Sequence, residues 1–282
     1  MTVIECPPPP LSGRTAVVTG ANHGIGAAVA VELARLGSNV LVTFLRSAPS
    51  AASTSQGPGP ALSESAYDAE RRRDSSAVIE LIESHGSRGL AVETNLNAAA
   101  APARVFDEAE GAFGPVSILV NNASGWRQDT FSGKARDLMS RPMEEVTEAT
   151  FEANFGVDAK AGALLIAEFS RRHLLSGGSW GRIVGLSSGG PSGFANEVSY
   201  GAAKAALESY TMSAASELAG HGVTANIVYP PITDTGWVTS EVRRFAATQG
   251  ARVAEPAQVA EVIGWLCTDA ASLVTGNRIR LR

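Results

Sequence analysis

Residues 15–37, TAVVTGANHGIGAAVAVELARLG, decide the fold of this chain. The first five residues are apolar or β-branched, which is typical of a short buried strand. From residue 27 to residue 36 the apolar side chains recur at helical spacing, and Gly37 can end that helix. Three glycines lie between strand and helix, where they let the backbone approach a phosphate group at the free N–H groups of the helix. The stretch therefore predicts a strand, a phosphate-binding turn and a helix.

A second motif, SYGAAK at 199–204, points to proton transfer. It places Tyr200 and Lys204 one helical turn apart, so that both can face the same side of a helix. A tyrosine normally ionises at about pH 10, and a neighbouring ammonium favours the phenolate and lowers that pKa. The run by itself also leaves open a buried helical tyrosine beside an unrelated surface lysine.

Strand and helix patterns alternate along the rest of the chain. Strands are predicted at 16–19, 40–44, 89–93, 118–121, 182–186, 225–229 and 279–281, and helices at 75–85, 103–113, 164–175 and 198–221. Alternation of this kind predicts an α/β fold with a parallel, doubly wound sheet and right-handed crossovers.

Together these features resemble the short-chain dehydrogenase/reductase family. The fixed positions of the family's glycine pattern, Thr-Gly-x-x-x-Gly-x-Gly, are all present as Thr19, Gly20, Gly24 and Gly26. Residues 118–124, ILVNNAS, resemble the fourth strand and its turn, with Ser124 in place of glycine. Residues 182–188, RIVGLSS, resemble the fifth strand. The resemblance covers about residues 11–279 and implies a Rossmann-type sheet of about seven strands with helices on both faces.

The resemblance also implies a role for each residue of the active centre. In the family, the tyrosine is the general acid–base, the lysine binds the nicotinamide ribose and lowers the tyrosine pKa, and a serine holds the substrate oxygen. Tyr200 and Lys204 match the first two roles. Ser187, thirteen residues before Tyr200, matches the third by the family's spacing, and Ser188 is the alternative serine. A phenol and a hydroxyl donor suit the charge that grows on a carbonyl oxygen during reduction.

One position departs from the family. Relatives carry an asparagine on the helix after the fourth strand, where it holds a water of a proton relay. Aligning residues 157–159 with the family's Val-Asn-Leu puts Asp158 at this position, and we assign it as a catalytic residue. Asn154, four residues earlier on the same helical face, stays open as the alternative. A buried carboxylate near Tyr200 would raise the tyrosine pKa and oppose Lys204.

The charge pattern after the second strand predicts NADP(H) as the cofactor. An acid about 20 residues past the glycine turn would bond the ribose 2′-hydroxyl of NAD, but residues 34–63 contain no Asp or Glu. Phe44 occupies the expected position of that acid. Arg46 follows, and a guanidinium can bind a phosphate with a fork of donors. His23 stands where NADP-preferring relatives often carry arginine, and a solvated loop residue remains the alternative for Arg46.

Further cofactor contacts follow from the family pattern. Asn95 stands where many relatives have an aspartate beside the adenine ring. The nicotinamide turn, usually Pro-Gly, is Pro230-Pro231 here, and the second proline removes one backbone N–H. The residues expected to contact the dinucleotide are Gly20, Asn22, His23, Gly24, Ile25, Gly26, Arg46, Asn95, Leu96, Asn122, Tyr200, Lys204, Pro230, Thr233 and Thr235. We assign no metal site.

We expect one domain, residues 1–282, with four segments outside the regular pattern. They are an N-terminal tail (1–12), a low-complexity loop rich in Ser, Ala, Gly and Pro (47–66), an insertion that mixes Trp, Phe, Met and charges (126–150), and a substrate flap (236–250). Trp237, Val238 and Phe245 give the flap an apolar lining, and packing of these residues against the insertion remains the alternative. The insertion is expected to be a lid or substrate loop, and a surface excursion without substrate contact remains open.

The composition favours a protein that acts on small molecules. With 44% apolar residues, 282 residues can bury one large core. A net charge of −5 gives no reason to expect nucleic acid or an anionic membrane as a partner. No apolar stretch approaches the roughly 20 residues that span a bilayer, and the N-terminal residues lack a signal-peptide pattern. Cys6 and Cys267 suggest free thiols in a reducing compartment, so we expect a cytoplasmic protein.

These observations predict an NADPH-dependent oxidoreductase that reduces a carbonyl group to a secondary alcohol, resembling 3-oxoacyl-thioester and ketone reductases. Two alternatives stay open: a catalytically impaired NADP-binding sensor or scaffold, and a dehydrogenase that works in the oxidative direction. Apolar and small residues on two predicted helices also suggest a homodimer or homotetramer. These residues are Leu164, Leu165, Ala167, Phe169, Ala202, Ala205, Ala206, Leu207, Met212 and Ala215.

Overall fold

A parallel sheet of seven strands forms the centre of the computed structural model, which describes residues 7–46, 69–139, 141–189 and 193–282. In chain order the strands are β1 (Thr15–Val18), β2 (Asn39–Phe44), β3 (Gly89–Glu93), β4 (Val116–Asn121), β5 (Asp129–Thr130), β6 (Glu144–Glu145), β7 (Gly181–Leu186), β8 (Val223–Tyr229) and β9 (Arg278–Arg280). The order across the sheet is β3-β2-β1-β4-β7-β8-β9, while β5 and β6 form a separate parallel pair. The predicted doubly wound α/β fold is confirmed.

Helices connect the strands and cover both faces of the sheet. They are α1 (Gly24–Arg35), α2 (Ser76–Ser84), α3 (Ala101–Phe113), α4 (Glu148–Asn154), α5 (Gly162–Leu175), α6 (Val198–Glu217), α7 (Ser240–Thr248) and α8 (Pro256–Leu266). A π-helical turn, Phe155–Ala161, joins α4 to α5 without a break. Turns of this kind occur often at functional sites.

The central strands are buried on both faces because successive side chains of a strand point to opposite sides. In β1, Ala16 and Val18 are buried against α1, α2 and α8. Val17 is buried in the second core, against α3, α5 and α6. This two-sided burial explains why the strands read as continuous apolar runs rather than as alternating patterns.

The chain reverses its winding direction at the centre of the sheet. From β1 it passes outward through β2 to β3, and after β4, beside β1, it proceeds to β9 at the other edge. Thr19, directly after β1, donates its backbone N–H to the Val120 carbonyl of β4 at 3.1 Å. The carboxyl ends of β1 and β4 therefore border the crevice where doubly wound sheets bind their ligands.

The irregular segments differ partly from expectation. Leu11 is fully buried and its N–H donates to the Leu36 carbonyl at 2.8 Å, so the end of the predicted N-terminal tail belongs to the core. The low-complexity loop 47–66 lies outside the described residues. The insertion 126–150 is folded and contains β5, β6 and the start of α4, and the flap 236–250 contains α7.

Cys267 is a free and buried cysteine. Burial raises the pKa of its thiol to about 12, so the thiolate that reacts in oxidation is scarce at neutral pH. Cys6 lies outside the described residues. No helix in the described ranges combines the length and apolar character that crossing a bilayer requires.

Candidate active site

The glycine turn between β1 and α1 is closed tightly. Gly20 and Gly24 have φ angles of +64° and +59°, in the left-handed region that favours glycine. A Cβ atom at Gly26 would lie 2.3 Å from the carbonyl oxygen of Gly20. Ile25 is half-buried in the first turn of α1. Glycine therefore allows the chain to enter α1 with its first N–H groups facing the crevice, where they can bind an anion.

Asn122, which we expected to contact the cofactor, helps to build this turn. Its Nδ2 atom donates to the carbonyl oxygens of Thr19 and Gly20, both at 2.8 Å. Its backbone N–H and that of Ala123 donate to the Thr19 hydroxyl, both at 3.0 Å. The end of β4 thus holds the glycine turn in place.

Asn22 and His23 connect the glycine turn to residues 69–73. Asn22 Nδ2 donates to the Arg73 carbonyl at 2.9 Å, and Asn22 Oδ1 lies 3.1 Å from His23 Nδ1. Burial lowers the pKa of His23 below its ordinary value, while Glu70 has the opposite, smaller effect. His23 is therefore neutral at physiological pH, unlike the arginine that relatives often carry at this position.

Arg46, the expected phosphate ligand, is paired with a carboxylate. Its Nε and Nη2 atoms donate to the Glu93 carboxylate at 3.1 and 2.6 Å, and the two side chains are 54% and 35% exposed. The hydrogen bonds raise the pKa of Arg46 and lower the pKa of Glu93. Glu93 lies outside residues 34–63, where an acid was expected for NAD. It is the last residue of the neighbouring strand β3 and lies opposite Phe44 in the parallel register of β2 and β3.

Asn95 and Leu96 follow β3 at the same end of the sheet. Asn95 is exposed, and its Oδ1 atom accepts the backbone N–H of Asn97 at 3.0 Å. Leu96 is 7% exposed and belongs to the core on the α3 side. These two residues could therefore offer an adenine ring a polar side chain at its edge and an apolar floor.

Residues 230–237 bring the chain from β8 back to the glycine turn. Pro230 directly follows β8, and the buried Thr233 accepts the indole N–H of Trp237 on its carbonyl at 3.1 Å. A Cβ atom at position 24 would lie 2.9 Å from Thr235, so Thr235 is packed against the glycine turn. The segment therefore packs against the glycine turn at the carboxyl end of the sheet.

Tyr200 and Lys204 lie in the first two turns of α6. The Lys204 Nζ atom is 5.6 Å from the centre of the Tyr200 ring, and the Phe194 ring centre is 6.1 Å from it. Lys204 is 2% exposed, and its Nζ donates to the Leu186 carbonyl at the end of β7 at 2.9 Å. A phenol and a buried ammonium are thus held together at the carboxyl end of the sheet.

Asp158, on the π-helical turn, forms an ion pair with Lys204. Its Oδ1 atom lies 2.9 Å from Lys204 Nζ, and both side chains are almost completely buried. Its Oδ2 atom accepts the Gly125 N–H at 2.9 Å and the Ser124 hydroxyl at 3.1 Å. A buried carboxylate needs such partners because desolvation penalises its charge. Asp158 therefore balances the charge of Lys204.

Asn154, the alternative to Asp158, is fully buried, and its side chain forms hydrogen bonds with backbone groups. Its Oδ1 accepts the Arg127 N–H, and its Nδ2 donates to the Arg127 carbonyl, both at 3.1 Å. The same Nδ2 donates to the Thr150 carbonyl at 2.9 Å. These bonds tie the beginning of the insertion to α4. Asp158, and not Asn154, contacts Lys204.

The structure places Ser187 differently from our expectation. Its hydroxyl donates to Glu208 Oε1 at 2.6 Å, and the residue is 2% exposed. Alternation along β7 explains this orientation: Ile183 and Ser187 lie on the α6 side of the sheet, whereas Leu186 lies on the α1 side. The hydrogen bond to Glu208 occupies the hydroxyl that we expected to hold the substrate oxygen, and the assignment of Ser187 to that role stays a prediction. Ser188 is the partly exposed serine at the end of β7.

Glu208 is a buried carboxylate that the sequence reasoning missed. It accepts hydrogen bonds from Ser187, from the Tyr229 hydroxyl and, at 2.8 Å, from Arg278 Nε, and so joins the ends of β7 and β8 to the start of β9. Burial and the hydrogen bond to Glu208 raise the pKa of Tyr229 above its ordinary value. One signal was available: Glu208 is four residues after Lys204, on the helix face that also carries Tyr200.

The crevice fits a dinucleotide and carbonyl chemistry. Among the described residues, the N-cap side chain of α1 makes no capping hydrogen bond, which leaves the helix start open to a pyrophosphate. The phenol of Tyr200 and the buried Lys204 lie at the same sheet edge, beyond β4. This arrangement can hold a cofactor at one end and a proton donor at the other.

Three comparisons with known proteins agree with this description. The family model described as enoyl-(acyl carrier protein) reductase matches residues 65–281. The chain is 33% identical to an NADPH-dependent aldehyde reductase-like protein from Arabidopsis thaliana, over 98% of this chain and 95% of the relative. It is 34% identical to cis-4-hydroxycyclohexanecarboxylate dehydrogenase from Sinomonas cyclohexanicum, over 93% of this chain and 92% of the relative.

The fold of this chain is similar to that of a solved structure over nearly its whole length. A short-chain dehydrogenase from Burkholderia cenocepacia, in complex with NADP, superposes with a TM-score of 0.77 at 26% identity and covers 96% of this chain and 97% of that one. The glycine turn, the Tyr-x-x-x-Lys pair and the strand order occur together in this chain. The chain therefore belongs to the short-chain dehydrogenase/reductase family of oxidoreductases.

Proposed function

We propose that this protein is an NADPH-dependent carbonyl reductase that converts a ketone or aldehyde of a small molecule to an alcohol. The observation that carries this proposal is the position of Tyr200 beside Lys204. The centre of the Tyr200 ring lies 5.6 Å from Lys204 Nζ, at the end of the sheet that also carries the glycine turn. The Arabidopsis relative, named as NADPH-dependent and aldehyde reductase-like, supports the same reaction class.

In this proposal NADPH, when bound, supplies the hydride. Tyr200 gives its phenolic proton to the substrate oxygen as negative charge develops there. The Lys204 ammonium stabilises the phenolate that remains and binds the nicotinamide ribose. Lys204 is positioned for this by the Leu186 carbonyl and by Asp158.

Ser188 takes the role of hydrogen-bond donor to the substrate oxygen in this proposal. It directly follows β7, is partly exposed and is adjacent to Ser187, whose hydroxyl is committed to Glu208. A hydroxyl donor that is in place before the reaction stabilises an oxyanion without reorganisation. Glu208 supports it indirectly, by holding the end of β7 against the end of β8.

The ion pair of Lys204 with Asp158 favours one alternative, a protein that binds NADP without turning over a carbonyl compound. The experiment that separates the two combines cofactor titration with an activity screen. The screen uses NADPH with 9,10-phenanthrenequinone, ethyl acetoacetate and acetoacetyl-coenzyme A. The reverse assay uses NADP with the corresponding alcohols. Reduction of at least one carbonyl compound supports the proposal, whereas NADPH binding with no turnover in either direction supports the sensor or scaffold.

The cofactor preference depends on Arg46 and Glu93. Because a 2′-phosphate and the Glu93 carboxylate compete for the same guanidinium, we expect Glu93→Gln to raise the preference for NADPH over NADH and Arg46→Ala to lower it. The change is expected to be about tenfold in kcat/KM for Arg46→Ala and about two- to fivefold for Glu93→Gln, in both cases mainly through the cofactor KM. The pair is exposed, so its own stability opposes phosphate binding only weakly.

A matched control is Arg35→Ala, which breaks an arginine–glutamate pair at the end of α1 in which Arg35 is 55% exposed and Glu32 is 11% exposed. Steady-state kinetics with both cofactors measure the three variants side by side. Equal kcat/KM for NADPH and NADH in the unchanged protein, or an unchanged preference in Arg46→Ala, would contradict the role of Arg46.

We also propose that the protein is a homodimer or a larger homo-oligomer through α5 and α6. Leu165, Phe169, Leu207 and Ala215, which we counted toward an interface, are instead buried against the sheet. The outer faces still present Leu164 and Tyr210, 40% and 49% exposed, beside the exposed small residues Ala202 and Ala205. Small residues allow two helices to approach closely. Two copies of the chain, related by a twofold axis, can therefore bury these faces against each other.

We expect Ala205→Arg to convert the oligomer to a monomer, because it places a long cation in the centre of this face. Sedimentation velocity at micromolar concentration with NADPH measures the change. Leu81→Arg, at an exposed leucine of α2 on the opposite side of the sheet, is the control and should leave the assembly intact. A monomer in the unchanged protein would refute the proposal.

A further inference from the structure

The N-terminus of α6, which carries Tyr200, is held by residues of the insertion 126–150. A helix leaves its first N–H groups without partners inside the helix, and a side chain at the N-cap position usually supplies one. Glu197 is the N-cap residue of α6, but its side chain makes no capping hydrogen bond. Among the described residues, Asp129 supplies it instead: its Oδ1 atom accepts the Ser199 N–H at 2.8 Å.

This contact is deeply buried. Asp129 is fully buried and Ser199 is 4% exposed. Within the described part of the chain, the second carboxylate oxygen of Asp129 is also buried and has no hydrogen-bond partner. A buried carboxylate in such a position is stabilised by the positive end of the helix dipole. Asp129 is therefore bound to the start of α6 through one buried hydrogen bond, from the Ser199 N–H.

The side chain of Glu197 is turned toward the insertion as well. Its Oε2 atom accepts the indole N–H of Trp126 at 3.1 Å, and its Oε1 atom accepts Arg141 Nη2 at 2.7 Å. Arg141 is in turn fixed by Asp137, at 2.7 Å. Three residues of the insertion thus contact the two residues that bracket the start of α6.

We propose that Asp129 is a positioning residue for Tyr200, and that the insertion orients the start of the catalytic helix. The proposal rests on the function proposed above. Tyr200 is the third residue of α6 and follows Ser199 directly, so the bond from Ser199 to Asp129 determines where the first turn of the helix lies. The side chain of Asp129 needs no contact with substrate or cofactor for this role.

Loss of the Asp129 contact should affect kcat and the KM for NADPH differently. Misplacing a reacting group by about 1 Å costs about 10²-fold in rate, whereas the affinity for NADPH depends more on the glycine turn and Arg46, at the other end of the crevice, than on the ribose contact of Lys204. Losing the Asp129 contact should therefore lower kcat and leave the KM for NADPH unchanged. A side chain that keeps the acceptor should restore kcat, since asparagine caps helices about as well as aspartate.

The experiment compares Asp129→Ala, Asp129→Asn and a control, Thr147→Ala. Thr147 caps α4 in the same way, with its hydroxyl accepting the Thr150 N–H at 3.2 Å, but that helix does not carry Tyr200. The substrate is the carbonyl compound that the unchanged protein reduces fastest in the screen above. We expect kcat to fall at least about tenfold in Asp129→Ala and to stay within about threefold in the other two variants.

Hydrogen exchange provides a readout that does not require activity, so it separates failure of this proposal from failure of the proposed function. The amide of Ser199 should exchange faster in Asp129→Ala but not in Asp129→Asn or Thr147→Ala. If Asp129→Ala does not fold, Trp126→Phe tests the second contact, because it keeps the aromatic ring and removes the bond to Glu197. We expect it to lower kcat by about three- to tenfold at unchanged KM for NADPH.

Several results would overturn the proposal. One is a kcat in Asp129→Ala that falls no further than in Thr147→Ala. Another is an Asp129→Asn variant as slow as Asp129→Ala, which would show that the hydrogen bond to Ser199 is not the cause. A third is unchanged exchange of the Ser199 amide in Asp129→Ala. If Asp129→Ala fails to fold, an unchanged kcat in Trp126→Phe also overturns it.

Discussion

Replacing Tyr200 by phenylalanine is expected to abolish turnover while NADPH still binds. The variant loses the phenolic proton donor but keeps the ring that packs near Phe194. Removing a general acid–base typically lowers the rate by about 10²–10⁴-fold. Stopped-flow or steady-state measurement of kcat, with fluorescence titration of NADPH, measures both parts of this prediction.

The matched control is Tyr210→Phe, on the same helix ten residues later, where the side chain is 49% exposed. It removes the same hydroxyl from a position outside the crevice and should leave kcat unchanged. Turnover by Tyr200→Phe within a factor of about two of the unchanged protein would refute the role of Tyr200 as proton donor.

The second large effect is expected at Ser188, with a different outcome for its neighbour. Ser188→Ala should lower kcat by about 10²-fold, as expected when one donor to a developing oxyanion is lost. Ser187→Ala should leave kcat within about threefold but lower the melting temperature. The reason is that the buried Glu208 carboxylate loses the donor that lies 2.6 Å from it.

Thermal unfolding and steady-state kinetics on the two alanine variants test this pair of outcomes. Each variant serves as the control for the other, because both remove one hydroxyl from adjacent positions. If Ser187→Ala loses activity and Ser188→Ala does not, the family's thirteen-residue spacing is the better guide and our reassignment is wrong.

Much of the fold could be predicted from the sequence because the signals are local. The apolar run at the start of β1, the glycines after it and the helical spacing of α1 lie within residues 15–37, and each reports on its own segment. The Tyr200–Lys204 pair is equally local, because residues four apart on a helix face the same side. The parallel, doubly wound character of the sheet then follows from the alternation of strands and helices, whereas the strand order is seen only in the structure.

The choice between Ser187 and Ser188 depends on more than the number of residues before Tyr200. The interval from the serine to Tyr200 spans the connection between β7 and α6, and the length of such a connection can change without altering the strand before it. The face of the sheet on which a serine lies depends on the two-residue period of β7, which places Ser187 beside Glu208.

The sequence by itself determined the doubly wound sheet, the glycine turn and the Tyr200–Lys204 pair. Only the tertiary structure decided which partners these groups have: Glu93 for Arg46, Asp158 for Lys204, Glu208 for Ser187 and Asp129 for the start of α6. The physical reason is distance along the chain. Each of these partnerships joins residues that are 21 to 70 positions apart and arises from strand register and helix packing. Periodicity and spacing within one segment do not contain that information.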